Sequence, residues 1–281
     1  MAIVCVLWGV VLLAVIAGAI LPAGKTSYQL AHNALVAART DAVAEAAVNR
    51  AVLALLDLRP EMRWRVDGVP QVFSFDGTPV RISIQDETGR IDLNRADGSL
   101  LVGLFQSAGL DPQAAANLVD KILDWRDASP MKRLNGAKEA DYRAAGRSYG
   151  PRNGPFQSVD ELRLVLDMTP KLFQRVEGAL TVYSGRQFID PQVAPPEALL
   201  ALPTMDAARV AAVLAARAQQ GAASGSALPG DVVDPLNPFK GRAFSIHAEI
   251  ANPAGVVTRD AAVRLTGDPA QPYWVLRWTT R

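Results

Sequence analysis

The sequence predicts an α+β protein, in which a long N-terminal helix packs on an antiparallel sheet and a large all-α domain is inserted into the chain. Three observations predict this arrangement. Helical periodicity without strand signals runs from the N-terminus to Leu58. Alternating, strand-like segments occupy residues 71–94 and return at 243–278. Between them lie about 140 residues of short helical patterns, so the strands form two groups separated by a helical block.

The first 24 residues carry no charged side chain. Ala2–Leu21 is apolar throughout, and twenty such residues form a helix of ~30 Å, enough to cross a bilayer core. We therefore expect residues 1–24 to be the transmembrane part of the N-terminal helix, with Ala2, Trp8 and Leu21 along the anchor. A cleaved signal peptide is the alternative, although no basic residue precedes Lys25. The only basic flank follows the apolar segment, which by itself would place the body in the cytoplasm. A short basic leader before Met1 would reverse this orientation, so the sequence alone leaves the orientation open.

Residues 25–97 are expected to hold the rest of this helix and the first strands. Gln71–Phe75 and Val80–Ile84 alternate apolar and polar residues around Asp76-Gly77, which predicts a hairpin. Gly89–Asn94 is a further strand-like segment. Isolated hairpins are marginally stable, so we expect these strands to pair with those of a C-terminal segment, 239–281, in one sheet. The C-terminal strands are predicted at 243–250, 256–265 and 273–278.

Residues 98–238 are predicted to form the inserted helical domain. Short helices are expected at 99–108, 111–127, 158–166, 170–180, 195–200 and 206–220. Asp111-Pro112 supplies an N-cap and a first-turn proline to one of them. Ser158 and Glu161 have the spacing of a capping box. Residues 221–238, rich in Gly, Ala, Ser and Pro, are predicted to be a linker.

The composition argues against catalysis and against nucleic-acid binding. The net charge is +1, so the chain lacks the basic surface that a nucleic-acid-binding protein needs. Its single cysteine, Cys5, lies inside the apolar segment, and its two histidines, His32 and His247, are far apart in the sequence. No nucleophile–base pair or phosphate-binding glycine loop is evident. The sequence predicts a protein that is not an enzyme.

Carboxylates gather in one part of the helical domain. Asp120, Asp124 and Asp127 are spaced i, i+4 and i+7, so they share one face of a predicted helix. Glu139 and Asp141 follow in a predicted loop. Hard cations such as calcium take six to eight oxygen ligands, so this stretch is a candidate metal site without EF-hand spacing. The alternative is a solvated acidic face. The pair Asp86-Glu87 could be taken for catalytic carboxylates, but a turn with solvated acids is favoured there, since nothing nearby offers a substrate pocket or a perturbing partner.

The segment 195–217 resembles a helix-hairpin-helix unit, with two short helices around the turn Pro203–Asp206. In DNA-binding units of this kind, glycines in the turn let the backbone approach phosphate. This turn contains an acid and no glycine, and the cations nearby are Arg209 and Arg217. These features favour a packing module over a nucleic-acid contact.

Several ordered motifs resemble the minor pseudopilin K family of type II secretion systems. They are Asp86–Asn94, Asp124-Trp-Arg-Asp127, Asn135-Gly-Ala, Glu139-Ala-Asp-Tyr142, Tyr149–Asn153, Pro155-Phe156 and Glu161–Val165. The resemblance extends over essentially the whole chain. It implies a pilin-like helix and sheet with an inserted SAM-like or helix-hairpin-helix-like domain. It also implies calcium in that domain, with Asp124, Asp127, Glu139 and Asp141 as candidate ligands.

The resemblance implies a subunit at the tip of a periplasmic pseudopilus, where it initiates or limits assembly for protein export across the outer membrane. The implied partners are minor pseudopilins I, J and H, major pseudopilin G, the inner-membrane assembly platform and, if a leader exists, a prepilin peptidase. No nucleic acid is implied. The expected location is a single-pass inner-membrane protein with its body in the periplasm. The alternative function is a membrane-anchored helix-hairpin-helix protein that binds nucleic acid.

The chain departs from the family pattern at several positions. It begins at Met1 without a basic leader, and Pro22 lies where mature pilins commonly place a proline, so Met1 is expected near the mature start. Cys5 stands where most pilins have a glutamate, and the K type is similar in lacking that acid. Lys138 is inserted between Ala137 and Glu139, and Ser129 replaces an acid. These last two changes weaken the expectation of calcium.

Overall fold

The structure is a computed structural model that describes residues 2–57, 59, 62–75, 77–220, 239–252 and 255–280, without the side chains of 15–27, 220, 252 and 280. The helices are α1 (Ala2–Leu56), α2 (Gly98–Ser107), α3 (Pro112–Arg126), α4 (Glu139–Ala144), α5 (Pro170–Val176), α6 (Pro196–Leu200) and α7 (Ala207–Gln220). The strands are β1 (Gln71–Phe75), β2 (Thr78–Asp86), β3 (Ile91–Asp92), β4 (Leu180–Thr181), β5 (Ala243–Asn252), β6 (Gly255–Asp268) and β7 (Gln271–Thr280). The predicted linker 221–238 and Asp76 lie outside the described residues.

The C-terminal third of α1 packs on the sheet through one face. Small and branched apolar side chains recur there with helical spacing, and all are buried: Ala44, Ala47, Val48, Ala51, Val52 and Leu55. They join the inward-facing side chains of β2, β5 and β6 in one core. The alanines let the helix lie close to the sheet, and the predicted packing of a long helix on strands is confirmed.

The main sheet is antiparallel and has the strand order β1-β2-β5-β6-β7 in the described part of the chain. β2 pairs with β5 from Val80 opposite Ile250 to Asp86 opposite Phe244. The two predicted strand groups therefore form one sheet, as expected. The α+β class, with a long helix on an antiparallel sheet, is confirmed.

The predicted strand 89–94 is wrong in its partner and its length. Residues 87–89 form a 3-10 turn, and β3 is a two-residue strand that pairs in parallel with β4. Ile91 and Leu93 belong to a second core, which is built mainly from α2, α3 and α5. We call this part, residues 91–217, the helical body. The chain thus leaves the main sheet at Asp86 and returns to it at Ala243.

Several local predictions in the helical body need correction. Val159–Leu164 is a 3-10 helix, and the Ser158 side chain makes no capping hydrogen bond. Its expected partner Glu161 instead accepts hydrogen bonds from Arg152. Glu139 and Asp141 lie on the short helix α4 and not in a loop. The Asp111 cap is confirmed, because its carboxylate accepts from the N–H groups of Gln113 and Ala114.

Candidate functional site

Asp124 is the buried member of the predicted carboxylate group. It lies on α3, and its side chain is completely inaccessible to solvent. One carboxylate oxygen accepts from the Arg133 guanidinium at 2.7 Å, and the other accepts from the Arg133 backbone N–H at 3.1 Å. A solvated acidic face is therefore wrong for this residue. Both carboxylate oxygens of Asp124 are thus hydrogen-bonded to Arg133, as a buried charge requires, and these bonds fix the turn that follows α3.

Gly136 completes this turn. A Cβ atom at Gly136 would lie 1.8 Å from Asp124 Oδ2, closer than any van der Waals contact allows. The glycine in the Asn135-Gly-Ala motif is therefore explained by the close approach of the backbone to a buried carboxylate. A Cβ atom at Gly150 would likewise lie 1.8 Å from Glu139 Oε2, although the Glu139 side chain is exposed.

The other three predicted ligands are each engaged with protein groups. Asp127 accepts from the Ser129 N–H, and this bond, with the Arg133 guanidinium, lowers its pKa. Glu139 pairs with Arg143 at 2.9 Å along α4.

Asp141 is held by two lysines. It pairs with the Lys132 ammonium at 2.7 Å and accepts from the Lys138 backbone N–H at 2.9 Å, and these bonds lower its pKa.

The structure therefore brings the predicted ligand set together only in part. Asp124 and Asp127 share Arg133, whereas Glu139 and Asp141 pair with other cations. Across the described residues, no group of three or more His, Cys, Asp or Glu side chains is placed to hold a metal ion. Calcium binding by these four residues stays a prediction, and their placement does not fit a shared ion.

A lysine ammonium occupies an oxygen-lined position between these carboxylates. Lys138 precedes α4, and its Nζ lies 2.8 Å from the Asp124 carbonyl oxygen and 2.7 Å from the Asp127 carbonyl oxygen. A third oxygen, Asn153 Oδ1, lies 3.2 Å away. An ammonium has three N–H donors, so the three oxygens match its full hydrogen-bonding capacity.

Motif residues in the segment 92–94 hold distant parts of the backbone. Asn94 donates to the Phe156 carbonyl at 2.9 Å and accepts from the Phe156 N–H at 2.7 Å. Buried Asp92 accepts from the Gly185 N–H at 2.7 Å and from the Ser184 hydroxyl at 3.1 Å. These bonds join the start of the helical body to later segments, and they explain polar residues that the sequence could mark only as motifs.

Buried ionic groups lie where the helical body meets the sheet. Asp86 and Glu87 are almost fully buried, so the solvated turn expected there is wrong. Arg242, just before β5, lies 2.9 Å from Asp86 and 3.8 Å from Asp190. Burial raises the pKa of Asp86 to about 6, and the Asp190 carboxylate adds to this effect. Sequence reasoning missed Asp190 and Arg242, because neither belongs to a recognisable pattern.

The segment around Val193 packs at the same junction between the helical body and the sheet. Gln85 at the end of β2 donates to the Val193 carbonyl at 2.7 Å. A Cβ at Gly89 would lie 2.5 Å from that carbonyl oxygen, so the motif glycine permits direct backbone contact. Val193 itself is buried in the core of the sheet, whereas Ala194 joins the core of the helical body. The two cores therefore meet at consecutive residues.

The helix-hairpin-helix-like unit directs its cations toward the protein's own carbonyl groups. Arg217 on α7 is 3% exposed and donates to the carbonyl oxygens of Ala194, at 2.8 Å, and Pro191. Arg209 donates to the Thr204 carbonyl in the turn between α6 and α7. These contacts support the interpretation of this unit as a packing module.

The N-terminal part of α1 carries large apolar side chains that are exposed in the described part of the structure. Ile3, Trp8 and Leu13 are each more than 65% exposed. Ala2 is also exposed, and the side chain of Leu21 lies outside the described part of the structure. Within the described ranges, none of the helices contains a stretch both long and apolar enough to cross a membrane.

A long helix on an antiparallel sheet, with a helical body between two neighbouring strands, is the arrangement that the sequence predicts for a pilin-like fold. Residues 84–185 match the family "Type II secretion system (T2SS), protein K". A Klebsiella pneumoniae protein named "Type II secretion system protein K" is 37% identical over 73 residues, which are 26% of this chain and 22% of that protein. Over these residues the chain is similar to the type II secretion system protein K family, the family that its motifs resemble.

A solved structure extends the likeness of fold to most of the chain. It is the crystal structure of the GspK-GspI-GspJ complex from the enterotoxigenic Escherichia coli Type 2 Secretion System. The match has a TM-score of 0.59 and 18% identity, and it covers 92% of this chain and 98% of the matched chain. The sequence alignment to the curated relative spans only about a fifth of that relative, so the shared fold is the broader similarity.

Proposed function

We propose that this chain is a minor pseudopilin at the tip of a type II secretion pseudopilus, where it initiates or limits assembly with minor pseudopilins I and J. The supporting observation is the helical body inserted between β2 and β5, beside a pilin-like helix and sheet. The similar protein of known structure was solved in a complex with GspI and GspJ. Contacts with pseudopilins H and G and with the inner-membrane assembly platform belong to the same proposal.

The inserted body suits a terminal position for a steric reason. Head-to-tail stacking of equivalent subunits continues without limit unless one subunit lacks a free face. Here the helical body, residues 91–217, adds roughly 130 residues to the helix and sheet, so it covers space that a subunit stacked above would need. Cys5, in place of the usual pilin glutamate, agrees with a subunit that has no neighbour on that side.

The exposed apolar side chains of α1 suit burial outside the monomer. Before assembly, residues 1–24 hold the chain in the inner membrane with the body in the periplasm, and after assembly the same side chains pack among the helices of the filament. Removing residues 1–24 should release a soluble, folded body. Continued sedimentation of that truncated chain with membranes in high salt would contradict this part of the proposal.

Coexpression with pseudopilins I and J tests the partners. The full chain should copurify with both in a stoichiometric complex. A chain lacking residues 98–238 is the matched comparison, because it keeps α1 and the main sheet. If I and J form a complex with each other that excludes the full chain, the assignment to the tip complex is wrong.

Labelling of assembled pseudopili tests the position. Labelled copies should appear once per filament end, and removal of the helical body should lengthen the filaments. An even distribution of label along sheared filaments would refute the terminal position.

A further inference from the structure

We propose that the Lys138 ammonium is the resident cation of an oxygen-lined site at the end of α3, in the place where a hard divalent cation would otherwise bind. The inference rests on three oxygens that surround Lys138 Nζ, two from the end of α3 and one from the segment at Asn153. It does not depend on the function proposed above, because it concerns how the helical body is held together.

A cation is favoured at the C-terminal end of α3. The last carbonyl groups of a helix have no intrahelical partner, and the aligned peptide dipoles place partial negative charge there. Asp124 and Asp127 supply two such carbonyl oxygens, at 2.8 and 2.7 Å from Lys138 Nζ. A lysine near a helix C-terminus satisfies both requirements at once.

The third oxygen comes from a different part of the chain. Asn153 has a φ of +52°, a left-handed conformation that asparagine tolerates better than most residues. Its Oδ1 lies 3.2 Å from Lys138 Nζ. Lys138 therefore connects the end of α3, the start of α4 and the segment at Asn153, as a coordinated cation would.

The nearby carboxylates are occupied in a way that fits a resident lysine. Asp124 and Asp127 bind Arg133, and Asp141 binds Lys132 and the Lys138 backbone. Neutral carbonyl and amide oxygens surround the ammonium instead. Hard divalent cations also take carbonyl and amide oxygens and complete their shell with water. Truncating Lys138 would thus leave a vacancy with the donor chemistry of a divalent-cation site.

Melting temperatures of the full chain, with Ca²⁺ and with EDTA, test the proposal. Three variants are compared with the unmutated protein: Lys138→Ala removes the ammonium and opens the site, Lys138→Met removes the charge but keeps a side chain in the space, and Lys132→Ala removes a neighbouring surface ammonium as control.

The unmutated chain should melt at the same temperature in Ca²⁺ and in EDTA. In EDTA, Lys138→Ala and Lys138→Met should melt ~3–8 °C lower, since oxygens lose their donors, while Lys132→Ala changes little. Ca²⁺ at about ten times its dissociation constant should raise the Tm of Lys138→Ala by ~3–6 °C. It should leave Lys138→Met unchanged, because the methionine side chain fills the space.

Three results would overturn the proposal. In the first, Ca²⁺ stabilises the unmutated chain as much as Lys138→Ala, which makes a metal the resident cation. In the second, Lys138→Ala and the unmutated chain have the same melting temperature in EDTA, which means that the ammonium contributes nothing to stability. In the third, Lys138→Ala melts lower but neither Ca²⁺ nor Mg²⁺ restores it, which means that the oxygens do not form a divalent-cation site.

Discussion

The Arg242 guanidinium lies 2.9 Å from the Asp86 carboxylate, and both side chains are buried where the helical body joins the sheet. Asp86 ends β2 and Arg242 immediately precedes β5, so the pair links the point at which the chain leaves the sheet with the point at which it returns. Asp190, from the helical body, faces the same guanidinium. The Arg242 guanidinium thus lies close to a carboxylate on each side of the junction, Asp86 and Asp190.

The raised pKa of Asp86 predicts a pH dependence of folding. Its folded pKa of about 6 exceeds the ordinary value of 3.8, so the folded chain binds more protons than the unfolded chain between these values. The free energy of unfolding should therefore fall as the pH rises from about 4 to about 6, by up to about 3 kcal/mol from this residue.

Asp86→Asn should remove that part of the slope, and chemical denaturation at pH 4, 5 and 6.5 measures it. Asp268→Asn, at an exposed turn, is the control and should keep the slope of the unmutated chain. Parallel pH profiles for Asp86→Asn and the unmutated chain would show that burial does not perturb this carboxyl group.

Gly136→Ala should destabilise the helical body, because the new Cβ would collide with the Asp124 carboxylate. The collision forces this buried group and its bonds to Arg133 to shift, at a cost of about 1–3 kcal/mol. Thermal unfolding measures the loss. Gly178→Ala is the matched control, since its Cβ would meet nothing within 4 Å. Equal melting temperatures for the two variants would contradict the described approach at Gly136.

Arg217→Ala should destabilise the chain more than Arg209→Ala. Arg217 is buried against the Ala194 and Pro191 carbonyls, so its loss leaves buried acceptors without donors, at a cost of about 2–4 kcal/mol. Arg209 lies at the surface. Urea denaturation compares the two, and a DNA-binding assay should show no difference between them. If both variants keep full stability but lose binding to DNA, the unit is a nucleic-acid contact and not a packing module.

The pKa of His247 should lie above 6.5. The hydrogen bond that the imidazole Nδ1–H donates to the Asp260 carboxylate, at 2.7 Å, raises this pKa, and Glu249 contributes in the same direction. The stabilisation is complete below pH 6.5 and is lost as the pH rises through the raised value. NMR titration of the imidazole measures this pKa. Asp260→Asn should lower it more than Glu249→Gln does, and the reverse order would mean that Asp260 is not the main partner.

The parts of the fold that could be predicted from the sequence are those set by local periodicity. The helical spacing of α1, the hairpin of β1 and β2 and the Asp111 cap each depend on residues close together in the chain. β3 could not be predicted in this way, because its two residues pair with Leu180–Thr181, far along the sequence.

In the candidate site, too, local spacing could be predicted from the sequence and contacts between distant segments could not. The spacing placed Asp124 and Asp127 near one another, as the structure does. It could not predict that Asp124 is buried, that Arg133 binds both, or that Lys138 points at the end of α3, because each depends on how the following turn folds back. Asp86 is similar, since its burial depends on Arg242 and on the segment at Val193.

The pairing of β2 with β5 has a consequence for the order of folding. Asp86 and Phe244 lie opposite each other in the ladder, yet they are roughly 160 positions apart in the chain. Closing so long a loop is slow, and its entropic cost grows with the length of the flexible chain between the ends. The helical body has its own core, so its collapse shortens the connection before the strands meet. During synthesis, β1 and β2 emerge long before their partner, and their unpaired edge needs protection until the last forty residues arrive.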